Sequence, residues 1–155
     1  MFESIKGFFT KVSNSEETIT SHFDENDHRL ATAALLTHLM VVDGFDAPVE
    51  REALTKILKT EYDLQPDELE ELMKEAAAAD KAAVDFYSFT SVLKRELDRD
   101  GILHIVEMLW EIVLADGILH EIEDSVVWRI AELLGVETRE RVKLRQKVEA
   151  RLANG

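Results

Sequence analysis

Two short stretches decide the fold, residues 113–124 (VLADGILHEIED) and residues 40–50 (MVVDGFDAPVE). In each, an apolar run leads into Asp-Gly, and a Glu follows after five further residues. Asp43 thus corresponds to Asp116, and Glu50 corresponds to Glu123. A glycine commonly ends a helix, and acidic residues favour the first turn of the next one. Each stretch therefore predicts a turn between two helices.

The rest of the chain extends this pattern to a helical bundle. Apolar residues at helical spacing predict seven helices, which start near residues 28, 48, 66, 85, 101, 121 and 138. Asn26 or Asp27 is expected to cap the first helix, Asp100 and Gly101 to open the fifth, and Gly135 to end the sixth. The first and the fifth are apolar on most sides, which is typical of central, buried helices. No segment predicts a strand. We expect an all-α, single-domain bundle of about seven helices with two pseudo-symmetric helix–turn–helix units.

The N-terminal region predicts two further segments ahead of this domain. Residues 1–12 form an amphipathic helix, residues 13–27 an acidic linker, and residues 28–155 the helical domain. The apolar face of residues 2–12 has two alternative partners. It docks on the protein's own core or on a sister subunit in a homo-oligomer, or it rests on a membrane surface.

Composition excludes several classes of function. A formal net charge of −14 repels nucleic acid and attracts cations or a protein partner with a basic surface. The 155 residues contain no cysteine, which excludes disulfides and thiolate metal sites. Because no signal peptide or long apolar span is visible, we expect a cytoplasmic protein.

The motifs also resemble a known family. The stretches LLTHLMVVDGFDAPVEREAL, LWEIVLADGILHEIED and VDFYSFTSVLKREL are similar to the TerB-like domain family, named for tellurite-resistance proteins, over roughly residues 25–150. The resemblance implies an all-helical fold of about seven helices, a cytoplasmic or membrane-associated setting, and a divalent-metal site of acidic residues near the paired turns. Leu119 stands where the first turn has Asp46, so the acidic pattern is asymmetric here.

The acidic turns are the candidate metal site. Alone, neither turn supplies the six to eight oxygens that calcium takes, because apolar residues occupy the first ligand positions of a calcium loop. Together the turns would supply a shared set of carboxylates: Asp43, Asp46, Glu50, Asp116 and Glu123, with Glu121 and Asp124 at the rim. Oxygen donors favour calcium, magnesium or manganese. The alternative is that these acids only cap the following helices.

Other polar and aromatic residues receive structural interpretations. His104, Glu107 and Glu111 share one face of the fifth helix, which we interpret as its solvent-facing edge. Trp110 and Trp128 fall at predicted core positions, and so does Ile122 of the sixth helix. We find no catalytic sequence motif.

The favoured function is a non-enzymatic, TerB-like protein that binds divalent cations weakly, docks partners through its acidic face, or does both, in metal or envelope stress. One alternative is a metal-dependent hydrolase or detoxification enzyme that uses the Asp and Glu cluster. Another is a membrane-surface adaptor anchored by residues 2–12.

Overall fold

The computed structural model describes Phe23 and residues 27–41, 48–115 and 119–154. Within these ranges the chain forms seven helices and no strand, which confirms the predicted all-α class. The helices are α1 (His28–Val41), α2 (Pro48–Tyr62), α3 (Pro66–Ala82), α4 (Tyr87–Glu96), α5 (Arg99–Val113), α6 (Glu121–Leu134) and α7 (Thr138–Asn154). The relation between two pseudo-symmetric units stays a prediction.

The core is built around α1 and α5, as their apolar sequences predict. Helix α1 packs against α2, α3, α4 and α5, and α5 also contacts α6 and α7. Leu35, Leu36 and Leu39 of α1 are fully buried, as are Val106 and Ile112 of α5. Because both helices are covered on several sides, they need apolar side chains around most of their circumference.

Short polar contacts fix where the helices begin and end. The Asp27 carboxylate accepts a 2.8 Å hydrogen bond from the Arg29 amide in the first turn of α1, as predicted. Helix α5 begins at Arg99, one residue before the predicted start at Asp100, and Asp98 caps it, because the Asp98 carboxylate accepts a hydrogen bond from the Gly101 amide at 2.8 Å. At the end of α6, Gly135 adopts φ +81°, the left-handed conformation predicted for this position.

One face of α6 differs from the prediction. Ile122 and Trp128, both expected in the core, are 54 % and 42 % exposed, whereas Glu123 is fully buried. The helix turns its acidic third residue inward and Ile122 outward, and Val127 and Ile130 then supply the apolar contacts. Trp110 is in the core as predicted, and its indole N–H donates to the Arg141 carbonyl at 3.1 Å.

The predicted N-terminal helix, residues 1–12, lies outside the described residues. Of the predicted linker, residues 13–27, only Phe23 and Asp27 are described, and Phe23 is buried beneath the Arg29 guanidinium, 4.6 Å from the ring centroid. Among the helices described, none combines the length and the apolar character that crossing a bilayer requires.

Candidate functional site

Two of the predicted metal ligands are buried carboxylates in equivalent places. Glu50 is the third residue of α2, and Glu123 is the third residue of α6. Their exposed fractions are 2 % and 0 %. A carboxylate in this position receives the favourable field of the helix N-terminus, which offsets part of the cost of burial. Both side chains are engaged in interactions within the protein.

The remaining members of the predicted set are described only in part. Asp43, Asp46 and Asp116 lie outside the described residues. At the predicted rim, Glu121 is exposed and Asp124 is half-buried, both in the first turn of α6. Within the described ranges, no group of three or more His, Asp or Glu side chains is arranged to hold a metal ion. The shared metal site therefore stays a prediction.

Two contacts between helices show how α1, α2 and α5 are oriented relative to one another. The ring of His28, at the start of α1, lies 5.8 Å from the ring of Tyr62, at the end of α2. The His104 Nε2, in the first half of α5, lies 2.7 Å from the Glu61 Oε1, also at the end of α2. Helix α2 therefore runs antiparallel to both α1 and α5.

This antiparallel arrangement brings together the ends of α1 and α5 and the starts of α2 and α6. The last turns of α1 and α5 lie at the end of the bundle where α2 begins, and α6 begins a short loop after α5 ends. The described flanks of both Asp-Gly stretches thus face the same end of the molecule.

The polar face of α5 is not the solvent-facing edge that its sequence predicts. Glu107 is only 8 % exposed. Its carboxylate accepts hydrogen bonds from Arg151 at 2.7 Å and from Lys147 at 3.3 Å, both from α7. Burial alone would raise the pKa of Glu107, but the hydrogen bonds from Arg151 and Lys147 outweigh it and hold that pKa below its ordinary value.

The pKa of the neighbouring acid on α5, Glu111, is shifted in the opposite direction. Burial raises the pKa of Glu111, and the nearby Glu107 charge adds to this, although Arg151 lies 3.4 Å away and opposes it. His104 completes the row by its contact with Glu61. The row therefore joins α2, α5 and α7 and is a structural network between helices.

A second polar pair lies in a pocket that the sequence did not predict. The His38 Nδ1 is 2.8 Å from the Asp80 Oδ1, and the Phe86 ring lies edge-on to the imidazole, with ring centroids 4.8 Å apart. These residues line a cavity of about 490 Å³ with Arg129 of α6. His38 and Asp80 are distant in the sequence, so no local pattern predicts that they meet.

Comparison with known proteins places this fold in a family. The family model described as "Tellurite resistance protein TerB" matches residues 29–146, more than half of the chain. Neither the curated proteins nor the solved structures include a match. The matched range begins in α1 and ends within α7, so it spans all seven helices and both Asp-Gly stretches. The chain therefore belongs to the TerB tellurite resistance family.

Proposed function

We propose that this protein is a non-enzymatic member of the TerB family that binds a divalent cation weakly between its two acidic turns. The ligands are Asp43, Asp46, Glu50, Asp116 and Glu123. The main support for the proposal is that Glu50 and Glu123 are both buried and are each the third residue of a helix. We infer that both helices start at the same end of the bundle. A cation there would add to the interactions that these buried carboxylates already make within the protein.

The chemistry of the donors selects the ion. Carboxylate oxygens suit calcium, magnesium and manganese, and the chain has no cysteine thiolate that would favour a softer metal.

The test is a titration of the full chain with calcium, and then with manganese, followed by two-dimensional NMR of the backbone amides. We expect saturable calcium shifts and manganese broadening at both Asp43–Glu50 and Asp116–Glu123. Shifts at one turn only, or spread over all acidic surfaces, would refute the shared site.

Matched variants separate ligation from surface charge. Glu50→Gln and Glu123→Gln remove one buried charge each and should weaken binding about tenfold or more, which corresponds to about 1.4 kcal/mol. Glu70→Gln removes an exposed charge from α3 and should leave the affinity nearly unchanged. Asp43→Asn and Asp116→Asn repeat the comparison in case loss of a buried carboxylate unfolds α2 or α6. Equal affinities in all variants would overturn the ligand assignment.

The net charge of −14 supports a second activity, docking of a protein partner that has a basic surface. The charge is uneven, because residues 136–155 carry six Arg or Lys against three Glu and the rest of the chain carries the acidic excess. We expect binding of a lysine-rich peptide to weaken steeply with salt and to shift amides outside α7. Binding that ignores salt would exclude this mode.

A further inference from the structure

An open groove runs between α2 and α5 and is closed at one side by the end of α7. We call it the α2–α5 groove, and its volume is about 510 Å³. Its lining combines apolar and charged side chains; the apolar ones are Ala53, Ile57, Met108, Ala115 and Leu152. Leu152 is 47 % exposed, although it belongs to the apolar side of α7. The groove thus presents apolar surface that no described element covers.

The N-terminal segment has the complementary pattern. Residues 2–12 place five apolar side chains on one helical face: Phe2, Ile5, Phe8, Phe9 and Val12. Glu3, Lys6 and Lys11 lie outside this face. This segment is outside the described residues, so its sequence alone defines what it can contact.

The described chain begins near the end of α2, which contributes Glu61 to the groove. Phe23 is buried against Arg29 in the first turn of α1, and the neighbouring His28 contacts Tyr62 at the end of α2. Glu61, the residue before Tyr62, lines the groove. Residues 13–22 reach up to about 33 Å when extended, so they do not restrict where the segment lies along the groove.

The dimensions also agree. Glu52 and Glu61 mark the two ends of the groove on α2, and Glu61 lies nine positions after Glu52, a rise of about 14 Å along the helix. A helix of residues 2–12 is about 16 Å long. The segment therefore fills the groove in one layer.

Charge distinguishes this groove from the other apolar groove near the start of α1. The α2–α5 groove is lined by four glutamates, Glu52, Glu61, Glu107 and Glu111, and by two cations, Lys56 and Arg151. This acidic excess complements a segment that carries two lysines and one glutamate. The other groove lies between α1, α3 and α4, and its lining includes several Ala and Ser side chains and one charge, Arg95. That lining offers less apolar area to phenylalanine, and its one charge repels lysine.

From this complementarity we propose that residues 2–12 dock in the α2–α5 groove of the same chain as an amphipathic helix, with their apolar face against Ile57, Met108 and Leu152.

The absence of cysteine allows a direct test by crosslinking in the full-length chain. The first variant is Ser4→Cys with Thr60→Cys, which places one thiol beside the apolar face of the segment and one in the exposed lining of the groove. The matched control is Ser4→Cys with Ser88→Cys, whose second thiol is exposed in the other groove. A short bis-maleimide reagent joins the thiols, and mass spectrometry separates monomeric from dimeric products.

We expect the Thr60 pair to crosslink within the monomer at least several-fold faster than the Ser88 pair. Adding Phe8→Asp should reduce the Thr60 rate to that of the control, because it removes an apolar contact without changing the tether. Equal rates for the two pairs would overturn the proposal. A dimeric product that disappears on dilution would overturn it in favour of a second copy of the chain.

Cosedimentation with vesicles of phosphatidylglycerol and phosphatidylcholine tests the membrane alternative. We expect the full chain to remain in the supernatant, with or without residues 2–12. Cosedimentation that requires residues 2–12 would show that the membrane outcompetes the groove, and would overturn the proposal.

Discussion

Replacement of Glu107 by Gln tests whether the network between α5 and α7 stabilises the fold. The substitution keeps the shape and one oxygen acceptor but removes the charge that Arg151 and Lys147 bind. The Glu107 side chain is only 10 % exposed, whereas those of Arg151 and Lys147 are 44 % and 62 % exposed and remain hydrated after the change. We therefore expect a loss of about 1 kcal/mol at neutral pH, below the value for a fully buried pair.

The lowered pKa of Glu107 predicts how the stability difference between wild type and Glu107→Gln changes with pH. The pKa of Glu107 in the folded protein lies below its ordinary value of 4.5, because the hydrogen bonds from Arg151 and Lys147 outweigh the effect of burial. A lowered pKa stabilises the folded state above pH 4.5, and this stabilisation is lost as the pH falls through the folded-state pKa. Glutamine does not titrate, so the difference between the two proteins should vanish in acid.

The assay is urea unfolding followed by circular dichroism at several pH values, for the wild type, Glu107→Gln and a control. Glu149→Gln is the matched control, because Glu149 also pairs with an α7 cation, Arg145, but at 3.9 Å and on an exposed surface. Its effect should stay within about 0.5 kcal/mol. Equal stability of Glu107→Gln and wild type at pH 7, or a difference independent of pH, would refute the reasoning.

Two further substitutions test the core and a helix end. Trp110→Phe leaves the Arg141 carbonyl without its indole donor in a buried site, and should lower the free energy of unfolding by about 1–3 kcal/mol in urea. The emission of the remaining Trp128, which is partly exposed, reports whether the rest of the fold is unchanged. Gly135→Ala should lower the free energy of unfolding by about 1–2 kcal/mol, because the residue has φ +81°. An added Cβ meets no atom within 4 Å, so backbone strain accounts for the whole effect. Gly135→Asn should lower it less, because Asn tolerates this conformation better, and equal losses would contradict this explanation.

The sequence predicts the helices well because their signals are local. Apolar residues around most of α1 and α5 indicate central helices, and Asp27 and Gly135 mark helix ends, whatever the rest of the chain does. The orientation of α6 is different, because Glu123 and Ile122 are adjacent and both fit a first turn. Only the packing of α6 against α4 and α5 decides which one faces inward, and hydrophobicity alone gave the wrong answer.

The polar pairs between helices could not be predicted from local sequence patterns either. His38 meets Asp80 and His104 meets Glu61 across more than forty residues of sequence, and helical spacing within one element contains no information about either contact. Glu107 looked like a solvent-facing residue because its cationic partners are on α7. Of the five predicted metal ligands the structure describes only Glu50 and Glu123, so the shared site stays a prediction.

Two acidic residues of α5 have a cationic partner from α7, and this arrangement gives the sharpest test of the metal site. The carboxylates of α5 at Glu107 and Glu111 already have a cation, because α7 places Arg151 within 2.7 Å of one and 3.4 Å of the other. A divalent ion must displace that guanidinium to bind there. Manganese should therefore broaden amides near Glu50 and Glu123 at concentrations that leave α5 around residue 107 unaffected. In Arg151→Gln the α5 row loses its cation and should begin to broaden, while the response at the two turns stays the same. If α5 broadens first in the wild type, net charge rather than the geometry of the turns governs cation binding.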